Sequence, residues 1–492
     1  MSGFQTPSLD WAALTPELVL LAGASFVLVV ALFLSPQYRR PFAAVVAGFC
    51  FVGAGIAAGI LFSMDESGTG IVADALRRDR LAELAQVLIA GSGFLAVLVS
   101  YEEPEGEDRI GEWYALLLSA AAGMAFFVAA DNLITLFLGL EWFSISLYIL
   151  CAISIERLPA LEAGLKYLIV GSFSSAILLF GSAFVYGATG EIGFEEIARA
   201  AGEAERLFFV AGLAMILVGL AFKASAAPFH MWTPDVYQGA PTPVTAFMSG
   251  ATKVAALVLT MRVLVVAFPG EEGLWTIALA VIVCLSLAWG NLAALVQTDV
   301  KRLLAYSSIS HAGFLLMPVA IGTELGGRAL LYYLMSYAAM SVGAFAVVAA
   351  RERELGRPVG FPELGGLGWE RPFLGVAMAV FMFGFIGLPP AGLFLGKFYV
   401  FSAAVDRGWT WLAIVGVVAT VVSIYYYLGV VRAMYMQPGE MRLAPAGGSP
   451  PRDVALHTGV GLALLVTVGS FLVADPLIDI ARDAVDLLAF PH

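Results

Sequence analysis

The sequence predicts an all-α polytopic membrane protein with about 14 transmembrane helices, and three observations lead there. Of its 492 residues, 60% are hydrophobic and 13% charged, with a mean hydropathy of +0.89. Soluble chains average about 45–50% apolar and about 25% charged. A single globular core cannot absorb the excess, which must face lipid. The second observation is the spacing of the apolar runs, at about 17–34, 42–62, 81–100, 111–129, 132–153, 162–187, 206–226, 243–267, 274–297, 301–321, 327–350, 372–403, 409–436 and 454–474. The third is that the seventh and twelfth runs are interrupted by proline and glycine.

The first sixteen residues carry no Lys or Arg, so the opening run lacks the basic flank of a signal peptide and is expected to stay as the first helix. In the second run, Gly53-Ala54-Gly55-Ile56-Ala57-Ala58 formally fits a dinucleotide-binding fingerprint. With no strand before it and no acid on a following strand, it is expected to serve close helix packing. No Walker A loop is present, so ATP drive is not supported.

The seventh run leads through Lys223 into APFHMWTP at 227–234 and on to Pro241 and Pro243. The twelfth contains GFIGLPPAG at 384–392, with Lys397 just beyond. Proline removes a backbone donor and clashes with the preceding turn, so both helices should break there. Broken backbone at membrane depth is tolerated only where protein buries it or a wet cavity meets it. Two broken spans five apart suggest a transporter made of two structural repeats, at about 111–267 and 274–436. Residues 1–110 would supply three leading helices. Residues 437–492 would supply the last transmembrane helix and an amphipathic tail, whose Asp479, Arg482, Asp483 and Asp486 share one helical face.

Charge patterning excludes other classes. The net charge of −12 comes largely from loop acids such as the acidic run at 102–108, and 26 thinly spread basic residues leave no nucleic-acid footprint. Cys50, Cys151 and Cys284 lie alone in apolar runs, without iron–sulfur or zinc spacing, so no redox centre is expected in this chain. Thirteen Lys and Arg fall in loops after odd-numbered runs, Arg442 and Arg452 among them, against eight on the other side. The asymmetry predicts both termini outside the cytoplasm.

The lysines are the most informative residues. There are five, Lys166, Lys223, Lys253, Lys301 and Lys397, all inside or at the mouth of an apolar run, whereas the 21 arginines occupy loops and run ends. Arg262 is the exception, close enough to the end of the eighth run to snorkel. Arginine stays protonated, whereas a desolvated lysine can lose its charge. An ionised side chain at the bilayer centre costs about 2.5–3.5 kcal/mol on insertion scales. Lys166 and Lys301, near run ends, read as snorkelling or structurally paired groups. Lys223, Lys253 and Lys397, near mid-depth or beside a break, read as proton-exchanging groups.

One acid matches them. Glu141 stands ten residues into the fifth run, about 15 Å along the helix and close to mid-membrane. Lys223 is the expected partner, which would keep the carboxylate ionised until the lysine turns to another neighbour. In the stretch beginning at Tyr306, Ser307 and His311 are four apart on one face, and His311 is placed to relay between Lys253 and Lys397. His230 and Asp235, in the seventh break, are weaker candidates that would serve equally well as helix caps.

Three segments carry a family resemblance: AFKASAAPFHMWTPDVYQGAPTPV at 221–244, KRLLAYSSISHAG at 301–313 and GLPPAGLFLGKF at 387–398. They closely resemble the signatures of the antiporter-like subunits of respiratory complex I, over runs four to thirteen. Lys397 and the 14-run length are most similar to the family's N type, because the M type has glutamate at that lysine and the L type adds spans and a lateral helix. The resemblance implies two inverted five-helix repeats and a proton-translocating role. It makes Glu141 and Lys223 an input pair, Lys253 a central relay and Lys397 the output lysine, with Lys166 and His311 on polar positions of the same axis. It also implies that flavin mononucleotide, iron–sulfur clusters and quinone belong to partner subunits, peripheral and membrane-bound, in a bacterial cell membrane. A multi-subunit cation/proton antiporter is the alternative.

Overall fold

The computed structural model describes residues 9–64, 68–72, 74–103, 109–438, 453–486, 488 and 490. The acids at 104–108, and Arg442 and Arg452 of the orientation count, lie outside the described residues. The helices in chain order are α1 (Thr15–Phe33), α2 (Pro36–Ser63), α3 (Arg80–Ser100), α4 (Ile110–Val128), α5 (Leu133–Cys151), α6 (Leu158–Thr189), α7 (Phe194–Ala200) and α8 (Arg206–Lys223). There follow α9 (Trp232–Gly239), α10 (Thr242–Phe247), α11 (Lys253–Arg262), α12 (Glu272–Ala294), α13 (Val300–Ile321) and α14 (Glu324–Leu355). The last are α15 (Phe361–Leu364), α16 (Leu367–Glu370), α17 (Pro372–Ile386), α18 (Gly392–Asp406), α19 (Thr410–Met436), α20 (Val454–Leu472) and α21 (Ala474–Val485). A hairpin, β1 (Thr69–Ile71) with β2 (Leu76–Arg78), precedes α3 in antiparallel register Gly70↔Arg77.

Local chemistry sets the helix starts. Asp79, Asn132, Glu205, Asp299, Thr323 and Asp453 each accept a hydrogen bond from the first turn of α3, α5, α8, α13, α14 and α20, satisfying backbone donors that a helix cannot pair internally. Thirteen segments among the described residues are long and apolar enough to cross a membrane, and the chain is a multi-pass membrane protein. The twelfth apolar run is divided between α17 and α18, fifteen residues each, with 387–391 between them. Gly387 ends α17 at a φ of 92°, in the left-handed region that favours glycine.

At the centre stand α14, buried along its whole apolar stretch, α13, and the segment Thr242–Ala267 that joins α10 to α11. The joint between α10 and α11 is a wider π turn at Met248–Thr252, which sets the direction of Lys253 immediately after it. Gly53 and Gly55 of α2 face Val19 of α1 and Ala90 of α3, so the formal fingerprint is a packing surface. In the tail, α21 buries Ala481, Ala484 and Val485 and exposes Asp479, Arg482 and Asp486. α12 and α13 pack closely where a Cβ on Gly290 would lie 2.6 Å from the backbone nitrogen of Ser310. Backbone cannot yield there. Gly290→Ala is therefore expected to lower stability by about 1–3 kcal/mol, the usual range for an overpacked contact, read as earlier thermal unfolding of the purified protein.

Arg262 departs from the sequence expectation. It does not snorkel: its residue is fully buried, and its guanidinium makes two hydrogen bonds to the Asp79 carboxylate, one of 2.7 Å. Being near the end of a run was insufficient, because Asp79, the residue that follows β2 and caps α3, stands against its guanidinium.

Candidate functional site

Four of the five lysines are buried: Lys223, Lys253, Lys301 and Lys397. Three of them share one local solution. A helix ends with carbonyl groups that have no internal partner and carry the negative end of its dipole. Lys253 Nζ donates to the carbonyl of Ala224, which follows the last residue of α8, at 2.5 Å. Lys301 Nζ donates to the carbonyl of Ala240, which follows α9, at 2.8 Å. Lys397 Nζ reaches back across the twelfth break to the carbonyls of Phe385 (3.0 Å) and Ile386 (2.9 Å) at the end of α17. Each broken helix thus presents unpaired oxygens at depth, and each amine fills them.

Lys223 is held differently. Its Nζ donates to Ser144 Oγ at 2.6 Å and to the Tyr167 hydroxyl at 3.3 Å, and lies 4.3 Å from the centroid of the Phe143 ring. It makes no ion pair with Glu141, which corrects the expected direct contact. Ser144 stands one turn beyond Glu141 on α5 and takes the amine instead, while Glu141 Oε1 is buried without a hydrogen-bond partner. Lys397 likewise sits 4.4 Å from the centroid of Phe314. A desolvated cation–π contact contributes about 2 kcal/mol and a helix end at most about 2. Burying an ion costs several kcal/mol. These contacts offset part of that cost.

On the elements between Lys253 and Lys397 lie hydroxyl and imidazole groups, hydrogen-bonded in separate clusters. Ser249, on the π turn, accepts from Ser341 Oγ at 2.8 Å. Tyr337, one turn earlier on α14, donates to Ser308 at 3.2 Å. The adjacent Ser307 is hydrogen-bonded to the Tyr427 hydroxyl, which is 3.1 Å from His311 Nε2. The other ring nitrogen, His311 Nδ1, is 2.7 Å from the Tyr333 hydroxyl. The Phe385 ring stacks on Tyr427 at 5.6 Å, and its carbonyl is a ligand of Lys397. Ser307 and His311 therefore do share a face, and Tyr427 joins them. The tyrosines were missed because they sit in apolar runs; Tyr333, Tyr337 and Ser341 at four-residue spacing were the available signal.

The remaining candidates lie elsewhere. Lys166 is half exposed and pairs with Glu162 (2.7 Å) and Asp235 (2.8 Å). Asp235 also binds Arg302 at 2.6 Å, so it is an ion-pair partner and not a helix cap. Tyr306 lies against that same Arg302, 5.8 Å from its ring centroid, outside the hydroxyl clusters. His230 is buried with Nδ1 unpartnered, its ring 5.9 Å from Trp289, and it caps no helix. Lys301, read as snorkelling or structurally paired, is the latter: a buried amine among Ala240, Thr242 and Glu352.

Residues 130–423 match the family described as NADH:quinone oxidoreductase/Mrp antiporter, TM. NADH-quinone oxidoreductase subunit N of Trichlorobacter lovleyi is 39% identical over 494 residues, covering 99% of this chain and 98% of its own. A chain of respiratory complex I from Thermus thermophilus superposes with a TM-score of 0.79 at 32% identity, covering 95% of this chain and 99% of that one. A chain of the Mrp complex from Dietzia shares the fold, with a TM-score of 0.83 at 22% identity, covering 96% and 97%. Fold and site define an antiporter-like multi-pass membrane protein. Within that class, the chain belongs to the subunit N family of NADH-quinone oxidoreductases.

Proposed function

We propose that this chain is a proton-translocating membrane subunit of an NADH–quinone oxidoreductase, assembled with other membrane and peripheral subunits. Electron transfer from NADH to quinone would take place in those partners, which would hold the flavin mononucleotide, the iron–sulfur clusters and the quinone. The observation that supports this reading most is the set of buried amines, Lys253 and Lys397 seated on carbonyls at helix ends, with hydroxyl and imidazole clusters on the elements between them. In it, Glu141 and Lys223 form the input end, Lys253 is the relay, His311 carries the proton onward and Lys397 is the output. Each protonation biases the next through charge repulsion at low dielectric.

Two inverted five-helix repeats, at 111–267 and 274–436, each contributing one broken span, fit this arrangement, with residues 1–110 leading and 437–492 closing the chain. The excess of basic residues in the odd-numbered loops supports a reading in which those loops face the cytoplasm of a bacterial cell and both termini lie outside. A multi-subunit cation/proton antiporter would use similar chemistry, but the subunit N relatives favour the redox-driven assembly. Isolation of the chain under mild detergent tests this. Co-isolation of flavin-containing subunits and NADH-dependent proton uptake that persists without Na⁺ is the expected result; Na⁺-dependent exchange in a preparation free of flavin would overturn it.

A further inference from the structure

Outside this file, two adjoining cavities of about 230 and 310 Å³, bordered by charged side chains, open on the face formed by the turn after α5 and the end of α14. Both are lined by Arg157, Glu352 and Pro358. Lys166 and Asp235 at the outer rim are partly exposed, whereas Lys301 at the inner wall is buried. Between rim and wall stands a three-residue relay. Lys301 Nζ donates to Thr242 Oγ1 at 2.9 Å, Thr242 Oγ1 donates to Glu352 Oε2, and Glu352 Oε1 is 3.9 Å from the amine. The Glu352 side chain is 21% exposed and lines both cavities, so one end of the relay meets solvent, while Lys301 at the other end is buried in the wall of the smaller cavity.

A carboxylate that reaches water on one side and a buried amine through a single hydroxyl on the other has a specific capability. When Lys301 gives a proton to Thr242 Oγ1 and the threonine's own proton passes to Glu352 Oε2, the charged pair becomes a neutral amine and a carboxylic acid. The acid then releases its proton to cavity water, and the reverse sequence reloads the amine. No charge is created or lost within the relay, and a hydroxyl is the one group at that position able to donate and accept together. Water fits cavities of this size where several polar groups line them.

We propose that these joined cavities are the aqueous mouth through which protons reach the buried amines, with Glu352 as the proton-accepting residue and Thr242 as its link to Lys301. The proposal deepens the proton-translocating reading and rests on it. It assigns Glu352 and Thr242, which neither sequence pattern nor depth singled out, and gives Lys301 a role at the mouth of the file.

The test uses the whole complex in inside-out vesicles, whose outer surface is the cytoplasmic one. Glu352→Cys is expected to react with a membrane-impermeant methanethiosulfonate added outside, while Ser307→Cys, in an enclosed hydroxyl cluster, is not. Glu352→Gln and Thr242→Val are each expected to lower the initial rate of NADH-driven proton uptake by about tenfold, below the 10²–10⁴ of a full acid–base group because water substitutes in part. Glu352→Asp and Thr242→Ser, which keep the carboxyl and the hydroxyl, are expected to recover most of it, separating relay from folding. An unreactive Glu352→Cys, or wild-type uptake in both Glu352→Gln and Thr242→Val where Lys223→Ala is impaired, would overturn the proposal and leave the wider function standing. Wild-type uptake in Lys223→Ala itself would count against the wider function.

Discussion

Lys223→Ala is expected to cut NADH-driven proton movement by about tenfold with the complex still assembled. The substitution removes the one amine that meets Ser144, Tyr167 and the face of Phe143, and leaves a buried polar gap among them. Positioned proton donors contribute about 10²–10⁴ in enzymes, and water entering the vacated space would restore part of that. Glu141→Ala is expected to act in the same direction but more weakly, because Glu141 makes no direct ion pair with Lys223, whose amine is held by Ser144 and Tyr167. Proton uptake and NADH oxidation measured together in sealed vesicles distinguish lost coupling from lost assembly.

Arg262→Ala is expected to produce the largest loss of stability, about 3–5 kcal/mol, because it strands a buried carboxylate. The two side chains are only 1% and 5% exposed, and Asp79 also caps the first turn of α3 through Ala82 at 2.8 Å. Without Arg262, Asp79 would keep only the longer contact to Arg77, at 3.8 Å, which would weaken that cap. Removing both charges, in Arg262→Met with Asp79→Asn, is expected to be milder than Arg262→Ala alone, since no charge is left without a partner. Thermal inactivation of the purified complex checks this. Equal damage from the single and double variants would mean that the pair matters only for its shape.

What the sequence revealed follows from the range of the forces involved. The spans are legible because burial in lipid demands long apolar runs, and the breaks because proline acts on its own helix. The depth of Lys223, Lys253 and Lys397 could be counted from those runs. Contacts between helices could not. Arg262 and Asp79 are 183 residues apart, and nothing near Arg262 foretells a carboxylate beneath the hairpin. The preference of Lys223 for Ser144 over Glu141 depends on the rotation of α5 about its axis, which a nearly uniform apolar helix does not encode. The π turn before Lys253 is a backbone adjustment to neighbours, and the tyrosine hydroxyls were hidden in residues that also count as apolar.

The most direct measurement is the number of protons moved per NADH oxidised by complexes carrying Lys223→Arg. Arginine retains positive charge and length but cannot give up its proton at working pH. If transfer depends on a charge that can be removed, this ratio should fall toward that of Lys223→Ala while electron transfer continues. A ratio equal to that of the unaltered complex would show that a fixed cation suffices, and that proton exchange at this amine plays no part.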